Sequence, residues 1–134
     1  MAEQKKYKVL IVDDDEFLLN MYSVKFNRSG LDVTTSLSGD EALEKLRAGL
    51  TPDAMVVDIV MPKVNGFEFL EKVKAEKLAP RAVVIILTNQ GQSSDIERAK
   101  SLGAAGYIVK ASTIPSEVLH EVVACIEREE KKKA

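Results

Sequence analysis

Short apolar runs, each bounded by polar residues, recur along the chain. Four of them are continuous, at residues 9–12, 54–57, 83–87 and 107–109. Continuous runs of this length are typical of β-strands that are covered on both faces, whereas alternating apolar and polar positions are typical of half-exposed strands. A weaker run from Leu31 to Leu37 alternates. We predict that this run forms an edge strand.

Amphipathic segments separate these runs. Their apolar residues recur at helical spacing, which predicts helices over 16–28, 40–48, 67–77 and 95–102 and a last helix that opens at Pro115. The first predicted helix has Phe17, Met21 and Val24 on one stripe. Two residue pairs are spaced as capping boxes, Ser38 with Glu41 and Ser94 with Glu97.

The order of elements is β-α repeated five times. Short two-sided strands that alternate with amphipathic helices predict an α/β protein, in which a parallel sheet carries helices on both faces. The 134 residues are enough for one domain. We predict a single domain over 1–134, with a core at about 6–128 and a frayed tail at 129–134.

Composition narrows the classes of function. The net charge of −2 gives no electrostatic reason to expect a nucleic-acid partner. The single cysteine, Cys125, cannot form an internal disulfide, and no Cys/His spacing is typical of a zinc site. The longest apolar run, Ala82 to Leu87, has six residues and is too short to span a membrane. A cytoplasmic location is therefore the expectation.

Polar residues stand at the ends of the buried strands. Asp13 and Asp14 follow the first strand, Asp58 the third, Thr88 ends the fourth, and Lys110 follows the fifth. Because such sheets bind ligands outside the carboxyl ends of their strands, these side chains are expected to meet. Taken singly, each has an ordinary explanation, such as helix capping, turn chemistry, strand propensity or a solvated lysine. A matching residue at each of four strand ends favours a shared site.

This set of side chains fits a divalent cation beside a phosphoryl group. Mg²⁺ prefers oxygen ligands and is typically held by one or two carboxylates together with phosphate oxygens. Three carboxylates in one place would repel each other without a cation. A carboxylate that faces a phosphoryl donor can also act as the nucleophile and form an aspartyl-phosphate. A metal, a hydroxyl and an ammonium would then neutralise the transferring group.

Four separated motifs carry a family resemblance. They are Val12-Asp13-Asp14, residues 58–62 with Asn65-Gly66, Leu87-Thr88, and residues 107–110. With them the chain resembles, over essentially its whole length, the receiver domain of two-component response regulators. The resemblance implies a flavodoxin-like doubly wound (βα)5 fold, a three-layer sandwich with strand order 2-1-3-4-5.

The same resemblance implies roles for the strand-end residues. Asp58 would be the phosphoacceptor, Thr88 would contact the phosphoryl group, and Lys110 would pair with Asp58 or a phosphoryl oxygen. The metal would be Mg²⁺ (or Mn²⁺), and its implied ligands are Asp13, Asp14, Asp58 and the backbone carbonyl of Val60. Tyr107 would be the switch aromatic that turns inward when Thr88 is drawn to the phosphoryl group. Tyr107 also precedes Lys110 by three positions, so in an extended strand the two point to opposite faces.

Partners follow from the resemblance as well. It implies a histidine kinase or a histidine phosphotransfer protein as the phosphodonor. It also implies a downstream protein on the face of the fourth helix, fifth strand and fifth helix, or a phosphorylation-dependent homodimer, without direct contact to nucleic acid or membrane. The first helix is apolar over more than one face, because it also carries Leu18, Leu19, Tyr22 and Phe26. Surplus apolar surface there is a candidate docking patch.

Two departures from the family pattern affect the site. Ala111 follows Lys110, where the family usually has a proline after a cis bond. A cis bond before a non-proline residue costs about 2.5–4 kcal/mol. Val60 and Gln90 occupy positions that tune the loss of the phosphoryl group in this family. We hypothesise that the apolar Val60 hinders the attacking water.

Three alternatives stay open at this point. A flavin-binding electron carrier of the same fold needs a phosphate loop rich in Ser, Thr and Gly, but residues 13–16 are Asp-Asp-Asp-Glu. A receiver-like platform that never turns over phosphate is disfavoured by the complete set of acids, Thr88 and Lys110. A DNA-binding regulator would need a further domain, because one predicted helix follows Lys110.

Overall fold

The computed structural model of the chain describes residues 7–61, 64–89, 93–110 and 113–133. Its strands are β1 (Lys8–Val12), β2 (Asp32–Ser36), β3 (Ala54–Val57), β4 (Val83–Thr88) and β5 (Ala104–Val109). Its helices are α1 (Glu16–Arg28), α2 (Gly39–Arg47), α3 (Gly66–Ala75), α4 (Ser93–Ser101) and α5 (Pro115–Lys133). All strands run parallel, in the order β2-β1-β3-β4-β5. The predicted fold class and strand order are confirmed, and β2 lies at the sheet edge.

Helices cover both faces of the sheet, and each face has its own core. The sheet residues of the core beneath α1 and α5 include Val9, Ile11, Val56, Ile85 and Ile108. Those of the core beneath α2 and α3 include Leu10, Val12, Met55, Val57 and Ile86. Alternate residues of a strand point to opposite faces. Two cores that share one sheet therefore explain the continuous apolar runs of β1, β3 and β4. The prediction of two covered faces was wrong for β5, which lies at the other edge of the sheet and buries only Ile108.

α1 is apolar over more than one face, as predicted, and the stripe of Phe17, Met21 and Val24 is the one that does not face the sheet. Phe17 is 71% exposed and Val24 is 53% exposed. The buried residues of α1 are Leu19, Tyr22 and Phe26. Both sets recur at helical spacing, so periodicity alone does not choose between them. The sheet is covered by the set that contains two aromatic rings, which bury more apolar area.

Hydrogen bonds at the helix starts test the two predicted capping boxes. The Glu41 N–H donates to Ser38 Oγ over 3.1 Å, so Ser38 caps α2. The Glu41 side chain accepts the Leu37 N–H over 3.3 Å instead of the Ser38 N–H, so only half of the predicted box is confirmed. In contrast, α4 begins at Ser93, which places Ser94 inside the first turn. The predicted box of Ser94 with Glu97 is therefore wrong. A serine one position inside the helix has the same local sequence signature, and pattern alone rarely fixes a boundary to one residue.

The last helix is longer than the sequence pattern indicates. α5 begins at Pro115, as predicted, and continues to Lys133. It thus runs through most of the segment 129–134 for which fraying is expected. Among the described residues, no helix combines the length and apolar character that a bilayer crossing requires.

Tyr7 joins the start of β1 to the end of α5, because its hydroxyl donates to Glu130 Oε1 over 2.8 Å. Burial, together with this carboxylate, raises the pKa of Tyr7 to about 12. A pKa that is raised on folding gives stability that is present below the unfolded value, about 10, and is lost as pH rises through the folded value. We therefore expect the urea midpoint of the parent to fall more steeply than that of Tyr7→Phe between about pH 10 and 12. Equal slopes for the two proteins would contradict this role of Tyr7.

Candidate functional site

The carboxyl ends of the strands surround one cavity of about 510 Å³. Its wall is formed by Asp13, Asp14, Asp15, Asp58, Val60, Asn89 and Lys110. Val12 of β1 and Val57 of β3 are level in the sheet. The residues that follow them, Asp13 and Asp58, therefore leave the sheet side by side. The structure thus brings together the acids and the lysine that end three different strands.

Lys110 binds two of the acids at once. Its Nζ lies 2.6 Å from Asp13 Oδ2 and 3.1 Å from Asp58 Oδ2. All three side chains are nearly inaccessible to solvent, with exposed fractions of 7%, 1% and 7%. Burial disfavours the ammonium form, but the two carboxylates outweigh that effect and raise the pKa of Lys110. Because buried charges are tolerated when they are paired, the lysine and the two acids form one electrostatic unit.

Asp58 is held by both of its oxygens. The Val60 N–H donates to Oδ1 over 3.2 Å, and Lys110 Nζ donates to Oδ2 over 3.1 Å. Burial raises the pKa of the Asp58 carboxyl, while Lys110 acts against the rise and Asp13 adds to it. The carboxylate is therefore fixed in orientation at the cavity wall and has little water around it. Both properties favour reaction with a group that enters the cavity.

Three of the acids are close enough to share a cation. Asp13, Asp14 and Asp58 each offer one carboxylate oxygen, and these oxygens lie within 4.8 Å of one another. Asp15 has a different task, because its Oδ1 accepts the Leu18 N–H over 3.2 Å and caps α1. The ordinary explanation of the acidic run, helix capping, thus applies to Asp15. Asp13 is engaged as well, because its Oδ1 accepts the Asp15 N–H over 2.9 Å and its Oδ2 binds Lys110. A cation would share the Asp13 carboxylate with these partners, and hard oxygen ligands of this kind suit Mg²⁺.

Thr88 and Tyr107 lie beside the cavity rather than in its wall. Thr88 ends β4 and is 1% exposed. Tyr107 is level with Ile86, and both pack in the core beneath α2 and α3. Thr88 follows Ile86 by two positions, so it points to the same face of the sheet as Tyr107. Ile108 packs in the opposite core, and Lys110 follows it by two positions to reach the acids.

The cavity wall includes two residues that are not in the predicted set, Asp15 and Asn89. The sequence feature that could have indicated them is their position, since each directly follows a predicted site residue, as Asn89 follows Thr88. Asn89 and Val60 are exposed at the cavity, and Val60 has an exposed fraction of 69%. Gln90 and Ala111 lie outside the described residues. The predicted tuning position at Gln90 and the Lys110–Ala111 bond are therefore not described.

The cavity lies at the carboxyl edge of a doubly wound sheet, where such folds bind ligands. Its acids and lysine are suited to bind a cation or a phosphoryl group. The family model of the response regulator receiver domain matches residues 9–124. The chain belongs to this family, the phosphoacceptor modules of two-component signalling. The family assignment decides against the flavin-binding alternative.

Two curated relatives illustrate the sequence similarity. The alkaline phosphatase synthesis transcriptional regulatory protein PhoP of Bacillus subtilis is 34% identical over 123 residues, which are 92% of this chain and 50% of that protein. The phosphate regulon transcriptional regulatory protein PhoB of Rhizobium meliloti is 32% identical over 121 residues, which are 90% of this chain and 52% of that protein. The chain thus spans about half the length of these relatives.

Two solved structures show the same fold over almost their full length. The chemotaxis protein CheY4 of Vibrio cholerae superposes with a TM-score of 0.83 at 29% identity, covering 90% of this chain and 99% of that chain. A CheY-like receiver domain protein of Methanospirillum hungatei superposes with a TM-score of 0.85 at 25% identity, covering 96% and 99%. Receiver domains that are separate chains therefore share the architecture described above.

Proposed function

We propose that Asp58 accepts a phosphoryl group from a phosphohistidine or from a small acyl phosphate. The observation that carries this proposal is the setting of its carboxylate, which directly follows β3 at the cavity wall with Lys110 at 3.1 Å. One Asp58 oxygen forms a bond to phosphorus while the bond from phosphorus to the donor breaks, and the donor leaves with the electron pair. Lys110 offers positive charge to the phosphoryl oxygens during the transfer.

A divalent cation, Mg²⁺ or Mn²⁺, belongs to this proposal. Asp13, Asp14 and Asp58 fit it because their oxygens lie within 4.8 Å of one another. The backbone carbonyl of Val60 is the fourth proposed ligand from the chain. When bound, the cation neutralises the acids and the phosphoryl oxygens. Asp13 has a second task in the absence of the cation, since it holds Lys110 at 2.6 Å.

Thr88 and Tyr107 carry the signal out of the site in this proposal. Thr88 would donate its hydroxyl to a phosphoryl oxygen, and Tyr107 would turn inward behind it. Their position on one face of the paired strands β4 and β5 supports this coupling. Phosphorylation then shifts the equilibrium between two pre-existing conformations of the face formed by α4, β5 and α5. The domain promotes its own phosphorylation and dephosphorylation but acts as a signalling module.

Exposed apolar side chains favour a protein as the phosphodonor. The large exposed hydrophobic residues of the described chain are Phe17, Val24, Leu37, Val60 and Ile114. Val60 lines the cavity itself, Leu37 directly follows β2, and Phe17 lies in the first turn of α1. A groove of about 590 Å³ along α1 adds apolar Met21 and Val24 beside basic Lys25 and Arg28. Because contiguous exposed apolar surface marks protein contacts, we assign this face to a histidine kinase or a histidine phosphotransfer protein.

Two kinds of partner fit the face that receives the signal. A downstream protein or effector domain would bind the α4, β5 and α5 face, and a phosphorylation-dependent homodimer through the same face is the alternative. A cytoplasmic location, and the absence of direct contact to nucleic acid or membrane, stay predictions from the composition and charge of the sequence.

Intact-mass analysis after treatment with acetyl phosphate tests the proposed function. We expect one phosphoryl adduct in the presence of Mg²⁺ and little or none after the cation is chelated. A receiver domain known to be labelled under the same conditions serves as the positive control. Absence of the adduct from this chain, with the control labelled, would favour the alternative of a binding platform without phosphate turnover.

Val60→Asn is expected to speed the loss of the phosphoryl group from Asp58. An amide at this exposed position can hydrogen-bond the attacking water, which the valine cannot do. One such bond is worth about 0.5–1.5 kcal/mol, or about two- to tenfold in rate. The decay of the adduct mass after removal of acetyl phosphate measures the rate. Val24→Asn, the same change at an exposed valine on α1, is the control, and equal rates for the Val60 variant and the parent would contradict the hypothesis.

A further inference from the structure

The fourth helix is weakly anchored compared with its neighbours. Among the described side chains of α4, residues 94–101, Ala99 alone is buried. In contrast, α2 buries four residues and α3 buries five. Elements with few buried apolar contacts open most easily from a folded protein. Any side-chain contact that ties α4 to the rest of the molecule therefore contributes a large share of its anchoring.

Arg98 supplies such a contact. Its guanidinium carbon lies 4.6 Å from the centre of the Phe67 ring, and its Nη2 lies 3.4 Å from Glu71 Oε2. Phe67 and Glu71 are four residues apart on α3, so they form neighbouring positions on one face of that helix. A planar guanidinium can stack on an aromatic ring and bind a carboxylate at the same time. Arg98 thus joins α4 to the first two turns of α3.

The first turn of α3 is packed directly against the segment that carries Asp58. The Gly66 N–H donates to the Ile59 carbonyl over 2.9 Å. A Cβ at Gly66 would overlap the Asp58 carbonyl oxygen, so the two backbones touch. Asn65 and Glu68 fix the helix start with a reciprocal capping box. A displacement of the Asp58 backbone therefore moves the start of α3. Phe67 directly follows Gly66, so it moves with the start of this helix.

We propose that Arg98 is a latch that holds α4 against α3, and that Phe67 couples this latch to the backbone of Asp58. This connection runs through α3 and does not use Thr88 or Tyr107. The latch is a property of the unphosphorylated chain. Its coupling to the phosphoryl group rests on the proposed function of Asp58.

Amide hydrogen exchange of the unphosphorylated chain tests the latch. In Arg98→Ala we expect the protection of amides 97–102 to fall about two- to fivefold, the ratio that a cation–π contact of this class is worth. Amides in the middle of α5 should keep their protection. Arg47→Ala is the matched control, because Arg47 has the same exposed fraction of 49% and also binds a glutamate, Glu76, away from α4. Unchanged protection of α4, equal loosening in the control, or a uniform loss throughout the chain would overturn the latch.

Substitutions of the partner separate stacking from general destabilisation. Phe67→Leu keeps an apolar side chain under the guanidinium but removes the ring. Because Phe67 is also a core residue with an exposed fraction of 3%, we expect this variant to loosen amides 97–102 at least as much as Arg98→Ala does. Arg98→Ala should then add little in the Phe67→Leu background, since the stacking contact is already lost. Arg98→Lys keeps the charge near Glu71 but cannot stack as a plane, so it should loosen α4 as well. Additive effects of Arg98→Ala and Phe67→Leu would show two independent contacts and contradict the latch.

The coupling needs a second measurement, with Mg²⁺ and acetyl phosphate. In the parent, formation of the adduct should change the exchange of amides 97–102, and Phe67→Leu should reduce that change. An adduct that forms without any change in α4 would overturn the coupling. If no adduct forms at all, the proposed function fails, whereas the exchange of the untreated variants still decides the latch.

Discussion

Asp58→Asn is expected to abolish the phosphoryl adduct that the parent forms with acetyl phosphate and Mg²⁺. The amide has nearly the same size and can occupy the same position at the end of β3. It has no anionic oxygen, however, and cannot form the bond to phosphorus that the proposed reaction requires. Intact-mass analysis, under conditions that label most of the parent, should show no adduct on the variant. An adduct of equal yield would move the phosphoacceptor to another residue.

Asp15→Asn is the matched control for this prediction. Asp15 lines the same cavity, but its carboxylate is engaged as the N-cap of α1. Asparagine caps helices about as well as aspartate, so the control removes one negative charge from the cavity and leaves the helix start intact. It should form the adduct. Loss of the adduct in both variants would mean that the charge of the cavity, rather than one nucleophile, controls the reaction.

The loss of the adduct in Asp58→Asn should not result from unfolding. Burial raises the pKa of the Asp58 carboxyl. A raised pKa means that this group favours the folded state at low pH and that this contribution is lost as pH rises through the folded pKa. The charged form is therefore a cost at neutral pH, and the neutral amide removes it. Unlike a change of the lysine, this change leaves no buried charge unpaired, because Lys110 keeps Asp13 at 2.6 Å. The thermal midpoint of the variant should equal or exceed that of the parent in the absence of Mg²⁺.

The fold was predictable because the two-sided cores leave a strong sequence signal. A strand between two helical layers must be apolar at every position, and four runs of this kind occur. The orientation of α1 was less predictable, because Phe17 and Phe26 both belong to sets with helical spacing. Which set faces the sheet depends on the direction in which the chain leaves β1. That direction is a tertiary property, and the sequence carries no local signal for it.

The site was predictable to the extent that it follows from strand ends. Asp13, Asp58 and Lys110 each end a strand of a parallel sheet, and such ends converge at one edge. Asn89 also directly follows a strand, but it was missed because Thr88 already filled the expected role at the end of β4. The contact of Arg98 with Phe67 was also outside the reach of pattern analysis. It joins two helices that pack on the sheet separately, so neither helix contains a periodic signal for the pair.

Lys110→Met is expected to lower the free energy of unfolding by about 3–5 kcal/mol in the absence of a divalent cation, the usual cost of breaking a buried ion pair from one side. Methionine fills much of the space of the lysine stem but brings no charge. Asp13 and Asp58, which are almost completely buried, then lose the ammonium that lies 2.6 and 3.1 Å from them. Urea unfolding of the variant and the parent in the presence of a chelator measures the difference.

Mg²⁺ should restore much of the stability that Lys110→Met loses. A cation bound by the same acids supplies the positive charge that the lysine provided, and it stabilises the folded state by mass action. The deficit should therefore shrink as the Mg²⁺ concentration rises. Lys132→Met is the control, because Lys132 is 73% exposed and its ion pair with Glu129 is a surface pair worth about 0–1 kcal/mol. If the stability deficit of Lys110→Met does not change with the Mg²⁺ concentration, the cation does not replace the charge of Lys110 beside Asp13 and Asp58.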